Sequence, residues 1–176
     1  MRFTSMLICD GNAPHWNLSS RQPTIEERMY KHILVPTDGS RLSEKAIKTA
    51  VNLAQLTGAK LTGLYVVSPY TATVSSYDIA PFMVFSPDDY RKATAKATHA
   101  ALAKAEKSAR AAGVRFLGAN ATHEHPWQAI IENAKKRGCD LIVMASHGRR
   151  GIAGLVLGSE TTKVLTHSKT PVLVCR

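Results

Sequence analysis

Apolar positions along this chain fall into short continuous runs separated by longer stretches of helical period. His32–Pro36 is a β-branched run that ends in a turn signal, Pro36–Ser40, and predicts a buried strand. The next stretch, Arg41 to Thr57, places Leu42, Ala46, Ile47, Ala50, Val51, Leu53 and Ala54 on one helical face. Ser40 or Asp38 can cap its start, and Gly58 is placed to stop it. Lys60–Val67 alternates and then becomes continuously apolar, which predicts a second strand. Asp88 to Ala112 is rich in alanine and lysine and predicts a long helix closed by Gly113. A third strand is expected over Val114–Ala121. A third helix is expected over Pro126–Arg137, with Pro126 in its first turn and Gly138 at its end. Asp140–Ala145 predicts a fourth strand, Gly158–His167 a fourth helix and Pro171–Cys175 a fifth strand. Ser68 to Pro87, with Pro, Tyr, Thr and Ser, is expected to be a functional flap or a poorly ordered loop.

Apolar strands that alternate with amphipathic helices indicate a parallel sheet covered on both faces. Right-handed crossovers then make this an α/β protein, a doubly wound five-stranded parallel sheet with helices on both faces. Ligands of such sheets bind beyond the carboxyl ends of the strands, where the winding reverses. Two loops are expected there: Pro36–Ser40 after the first strand and Ala145–Leu157 after the fourth.

Composition sharpens this picture. At 176 residues, 44% of them hydrophobic and 20% charged, the chain suits one globular domain. No apolar run approaches the roughly 20 residues of a membrane helix, so no membrane association is expected. A formal charge of +10 suits anionic ligands, although a solvated basic surface explains it equally well. Cys9, Cys139 and Cys175 are dispersed and odd in number, which fits a reducing, cytoplasmic setting rather than a disulfide framework. Residues 1–28 lack periodicity and are expected to be a loose or non-native extension, with Met29 as the native start and 29–176 as the domain.

The segment Leu141–Ser159 carries most of the chemistry. It passes from a buried strand through a glycine-rich basic loop to Gly158 and Ser159 at the start of a helix. Glycine lets backbone N–H groups approach an anion, and a helix start adds partial positive charge. Arg149 and Arg150 add full charges. This combination predicts a phosphate cradle. It is neither a G-x-x-x-x-G-K-[ST] loop nor a G-x-G-x-x-G turn.

The spacing is Ala145, two residues, Gly148, nine residues, Gly158 and Ser159. It resembles the universal stress protein family, whose ATP-binding members carry G-x2-G-x9-G-[ST], with the first glycine replaced here by Ala145. The resemblance spans residues 30–176 and includes the opening Ile33–Ser40, the block Asp140–Gly148 and the ending Thr170–Val174. It implies a Rossmann-like fold of the adenine nucleotide alpha hydrolase kind, with ATP as ligand and Mg2+ as an accompanying ion. By that resemblance Gly148, Gly158, Ser159 and neighbouring backbone hold the triphosphate with the N–H groups of Glu160 and Thr161, and the charge of Arg149 lies beside them as a further candidate contact. Asp38, with Pro36 and Thr37 beside it, faces adenine and ribose. Val66 or Val67 presents backbone to adenine, Met144 packs near the ribose, and Ala145 stands at the cradle's edge. The resemblance also implies a homodimer formed through the last strand, Val172–Cys175.

Blander readings stand beside these. Asp38 can be only a turn former and helix cap. Arg149 and Arg150 can be a solvated pair, and Gly151 and Gly154 can serve loop flexibility. His123 and His125 form an H-x-H pair, but no further ligand is evident and a polar loop ahead of Pro126 is the simpler reading. His147 can simply be exposed, and Trp127 more readily packs a helix onto the sheet than stacks on a base. No dedicated base stands out for phosphoryl transfer, and Glu160 or Asp38 can hold Mg2+ only indirectly. The leading expectation is therefore an ATP-binding stress-response sensor or switch that acts on a signalling partner. The alternatives are a slow ATP hydrolase or phosphotransferase and a nucleotide-free interaction protein. Direct nucleic-acid binding is not expected, because RNA-binding aromatic motifs and a helix-turn-helix are absent from the sequence.

Overall fold

The computed structural model describes residues 30–70, 86–148 and 157–176. The 1–28 extension, most of the Ser68–Pro87 segment, and Arg149, Arg150, Gly151 and Gly154 lie outside them, wholly or in large part. The elements in order are β1 (His32–Pro36), α1 (Arg41–Thr57), β2 (Lys60–Val67), α2 (Pro87–Ala111), β3 (Phe116–Thr122), α3 (Pro126–Arg137), β4 (Leu141–Ala145), α4 (Ser159–His167) and β5 (Val172–Cys175). All pairings are parallel, in the order β3-β2-β1-β4-β5. The expected doubly wound sheet is the observed one.

Local chemistry explains the boundaries. Ser40 caps α1 by accepting the Ser43 N–H at 3.2 Å, and Gly58 closes that helix at φ 70°. Ser86 caps α2 in the same way, ahead of Pro87 in the first turn. Beyond α2, Gly113 adopts φ 70° and Val114 donates its N–H to Ala109 O at 2.9 Å. Val114 therefore completes the helix end, and β3 starts at Phe116 instead of at Val114 as its apolar character suggests. Similarly, Asp140 precedes β4, and its carboxylate accepts the N–H groups of Lys31 at 2.8 Å and His32 at 3.0 Å.

Strand alternation splits the core into two layers. Ile33, Val35, Leu61, Leu141 and Val143 face α1 and α2, where they meet Ala46, Ile47, Ala50, Val51 and Ala105. Leu34, Leu64, Ile142 and Met144 face α3 and α4, where they meet Ile130, Ala134 and Val164. Trp127 joins this second layer, as the helix-packing reading expects. The winding reverses between β1 and β4. The chain leaves β1 toward the α1 side, and α3 and α4 cover the opposite face. In folds wound this way the loops after two such strands part at the carboxyl end of the sheet, and ligands bind in the gap between them.

Candidate functional site

The floor of the gap is built by the end of β1. Thr37 is buried, and its N–H donates to Leu64 O at 2.8 Å. Its hydroxyl donates to Ser43 Oγ at 3.0 Å and accepts the Gly39 N–H at 3.1 Å. The side chain of Thr37 thus ties β1 to α1, while Pro36 and Asp38 on either side are half-buried. Asp38 Oδ1 accepts the Ser40 N–H at 2.9 Å, so the turn-forming role is real. The other oxygen, Oδ2, reaches across the gap: a Cβ built on Gly148 would lie 2.7 Å from it. Asp38 and Gly148 therefore approach each other from the two sides of the gap.

One wall comes from β2. Backbone groups of successive strand residues point to alternate neighbours. Leu64 O faces β1, where it accepts from Thr37, so Val66 faces the same side. The pairing of β1 with β2 ends at Pro36 opposite Leu64. The N–H and C=O of Val66 therefore look into the gap above β1. Val67 faces β3 instead, and its carbonyl accepts the His123 N–H at 3.0 Å. Of the two valines, Val66 is placed to offer backbone to a ligand.

The opposite wall is the turn from β4 into α4. Ser146 N–H donates to Cys175 O at 2.7 Å, and Ser146 O accepts the Gly158 N–H at 2.8 Å. Gly158 has ordinary dihedrals, φ −74° and ψ 157°. Its requirement is spatial, because a Cβ there would lie 3.1 Å from His147 Cβ, 3.2 Å from His147 Cα and 3.4 Å from Ser146 O. The first backbone bond of α4 runs from Thr162 N–H to Gly158 O at 3.0 Å. The N–H groups of Ser159, Glu160 and Thr161 precede that bond and point out of the helix start, an anion-attracting arrangement.

The remaining expected site residues divide by location. Ser159 is exposed at the helix start. Thr161 is buried, and its hydroxyl donates to Ala145 O at 3.0 Å, so its side chain is engaged with β4 and only its backbone N–H is at the helix start. Ala145 pairs with Cys175, and its methyl sits in the core layer beneath α1. Met144 packs in the opposite layer with Ile130 and Val164. His147 is half-buried, with Nδ1 3.1 Å from Ser146 Oγ. Arg149 lies outside the described residues. His123 Nδ1 accepts the His125 N–H at 2.9 Å, and no set of His, Cys, Asp and Glu able to hold a metal ion occurs among the described residues. The sequence reading missed the side-chain role of Glu160, which reaches Trp127 N at 2.9 Å. That contact spans 33 positions, and no local pattern signals it.

Residues 29–176 match the family model of the universal stress protein family. The chain belongs to that family. It is 35% identical over 152 residues to the universal stress protein YxiE of Bacillus subtilis, covering 84% of this chain and 100% of that one. It is 32% identical over 154 residues to the universal stress protein MJ0531 of Methanocaldococcus jannaschii, covering 85% and 84%. A universal stress protein solved in complex with cAMP superposes with a TM-score of 0.61 at 28% identity, over 83% of this chain and 96% of that one. In this universal stress protein the glycine-motif positions have separate structural duties. Position 145 fills the core, Gly148 stands against Asp38, and Gly158 seals the turn into α4.

Proposed function

We propose that this universal stress protein binds ATP in the gap between β1 and β4, and that nucleotide occupancy sets its interactions with a signalling partner in a stress response. The observation that carries the reading is the apposition of Asp38 Oδ2 and Gly148, which joins the loop after β1 to the glycine loop after β4. A ligand in this gap meets three chemistries at once. Val66 backbone offers a donor and an acceptor suited to a purine edge. Asp38 offers an acceptor for ribose hydroxyls. The first turn of α4, with Gly148, Gly158 and Ser159, offers N–H and hydroxyl donors to phosphates. A Cβ at Gly158 would crowd His147 and the Ser146 carbonyl, so glycine lets the start of α4 approach the end of β4 closely. A universal stress protein solved in complex with cAMP supports the adenine-nucleotide part of this reading.

We favour binding over turnover. The carboxylates nearest the cradle are already engaged: Asp38 with the Ser40 N–H and Glu160 with the Trp127 N–H and Lys163 Nζ. Mg2+ in this reading neutralises the bound phosphates. We further propose a homodimer through β5, an edge strand that carries the exposed Leu173. Cys139 is buried as a free thiol, its pKa pushed up to about 11 by burial, which suits a cytoplasmic protein.

The test is mass spectrometry of small molecules released on denaturing the purified protein, followed by reloading with ATP. Release or uptake of an adenine nucleotide supports the reading. A protein that neither carries nor takes up one contradicts it.

A further inference from the structure

α3 lacks a cap of its own. His125 occupies its N-cap position without any side-chain cap bond, and Pro126 follows it. The first N–H of that helix, at Trp127, is satisfied from another helix: Glu160 Oε2 accepts it at 2.9 Å. Glu160 belongs to the first turn of α4, the turn whose N–H groups form the phosphate cradle. Its second oxygen accepts Lys163 Nζ at 3.3 Å. One oxygen is thus held by α3, and the other by a lysine one turn further along α4 itself. The rest of the same turn is pinned to β4 by Thr161 Oγ1 on Ala145 O and by the Gly158 N–H on Ser146 O. At its far end, α4 touches the same tryptophan again, with the Trp127 and His167 rings 4.7 Å apart.

We infer that Glu160 is a positioning residue for the phosphate cradle: its bond to the Trp127 N–H fixes the first turn of α4 against α3 and links phosphate occupancy to the start of α3. The inference rests on the nucleotide reading above. A carboxylate in the first turn of a helix ordinarily competes for that turn's own N–H groups. Here the orphan N–H of α3 holds it aside, so the cradle donors stay open to an anion. Loss of the tie releases the turn on one side, and the loss falls on phosphate contacts rather than on adenosine. The effect also reaches Trp127, whose indole reports it.

The experiment uses full-length protein carrying Trp16→Phe, so that Trp127 is the remaining tryptophan. ATP and adenosine are titrated by calorimetry, and Trp127 fluorescence is followed with each. In this background Glu160→Ala lowers ATP affinity about tenfold, leaves adenosine affinity within about twofold, and removes the ATP-induced fluorescence change. Glu160→Gln keeps an acceptor for the Trp127 N–H and restores ATP affinity to within about threefold of the parent. Equal ATP affinity in the parent and Glu160→Ala overturns the inference while leaving the nucleotide reading intact. Tighter ATP binding in both variants overturns it too, because Glu160 then acts only by repelling phosphate. A parent that binds adenosine and ATP not at all overturns the nucleotide reading, and the inference falls with it.

Discussion

Asp38 occupies the space a side chain on Gly148 would need: a Cβ there would lie 2.7 Å from Asp38 Oδ2. The clash is with the tip of a short side chain and not with backbone. The fold can relieve it by turning Asp38 aside, so the stability of Gly148→Ala is expected to change by only ~0.5 kcal/mol. The proposed site loses more, because Asp38 then leaves the position in which the nucleotide reading uses it. ATP affinity in Gly148→Ala is expected to fall about tenfold, equivalent to ~1.4 kcal/mol. Calorimetry paired with thermal melts checks both halves. Equal losses of affinity and stability would argue against a role for Asp38 at the ligand.

Ala145 replaces the first glycine of the motif, yet its methyl belongs to the core beneath α1 and its carbonyl holds Thr161. Restoring the motif with Ala145→Gly removes core packing and adds backbone freedom in a strand. It is expected to destabilise the fold by ~1 kcal/mol and to leave ATP affinity within about twofold. Denaturant titration and calorimetry measure the two effects. A large gain in ATP affinity would show that the methyl obstructs the cradle.

His32 lies buried at the amino end of β1, with Nε2 2.8 Å from Thr62 Oγ1. Burial, then the Lys60 charge, holds its pKa below the ordinary value of 6.5. The Arg137 side chain adds to the lowering, while the Arg137 backbone and the Asp140 carboxylate oppose it. A depressed histidine pKa means that the unfolded chain binds the extra proton more readily. The contribution is therefore fully present above pH 6.5 and is lost as pH falls toward the lowered folded value. Thermal stability is expected to drop between pH 7 and pH 5, and less steeply in His32→Gln, which keeps a partner for Thr62. Parallel slopes in the two proteins would remove His32 from the explanation.

The strand and helix order was legible because each element carries its own period and stop signal. Gly58, Gly113 and Gly138 all end helices at positive φ, as their positions suggest. The turn into α4 was legible too, since Gly158 and Ser159 follow a strand and open a helix. The choice between Val66 and Val67 was not. It depends on where β1 stops pairing with β2; the alternation of backbone groups turns Val66 to the β1 side and Val67 to β3. The Ala145 methyl reads as an intrusion in the motif, because spacing alone does not say which face of β4 it takes. The Glu160–Trp127 bond and the His32–Thr62 pair are contacts between distant segments, and they arise only when α3 meets α4 and β1 meets β2.

The central claim is that the gap between β1 and β4 holds ATP, with the Gly158 turn as its phosphate wall. A valine at 158 must displace His147 backbone and the Ser146 carbonyl, which lie 3.2 and 3.4 Å from a Cβ there. Calorimetric titration of ATP into the wild-type protein and Gly158→Val tests this most directly. The account predicts saturable binding to the wild type with Kd below about 1 mM and at least a tenfold loss in the variant, with a folded far-UV spectrum in both. No heat of binding in the wild type at millimolar ATP, or equal affinity in the two proteins, would contradict it.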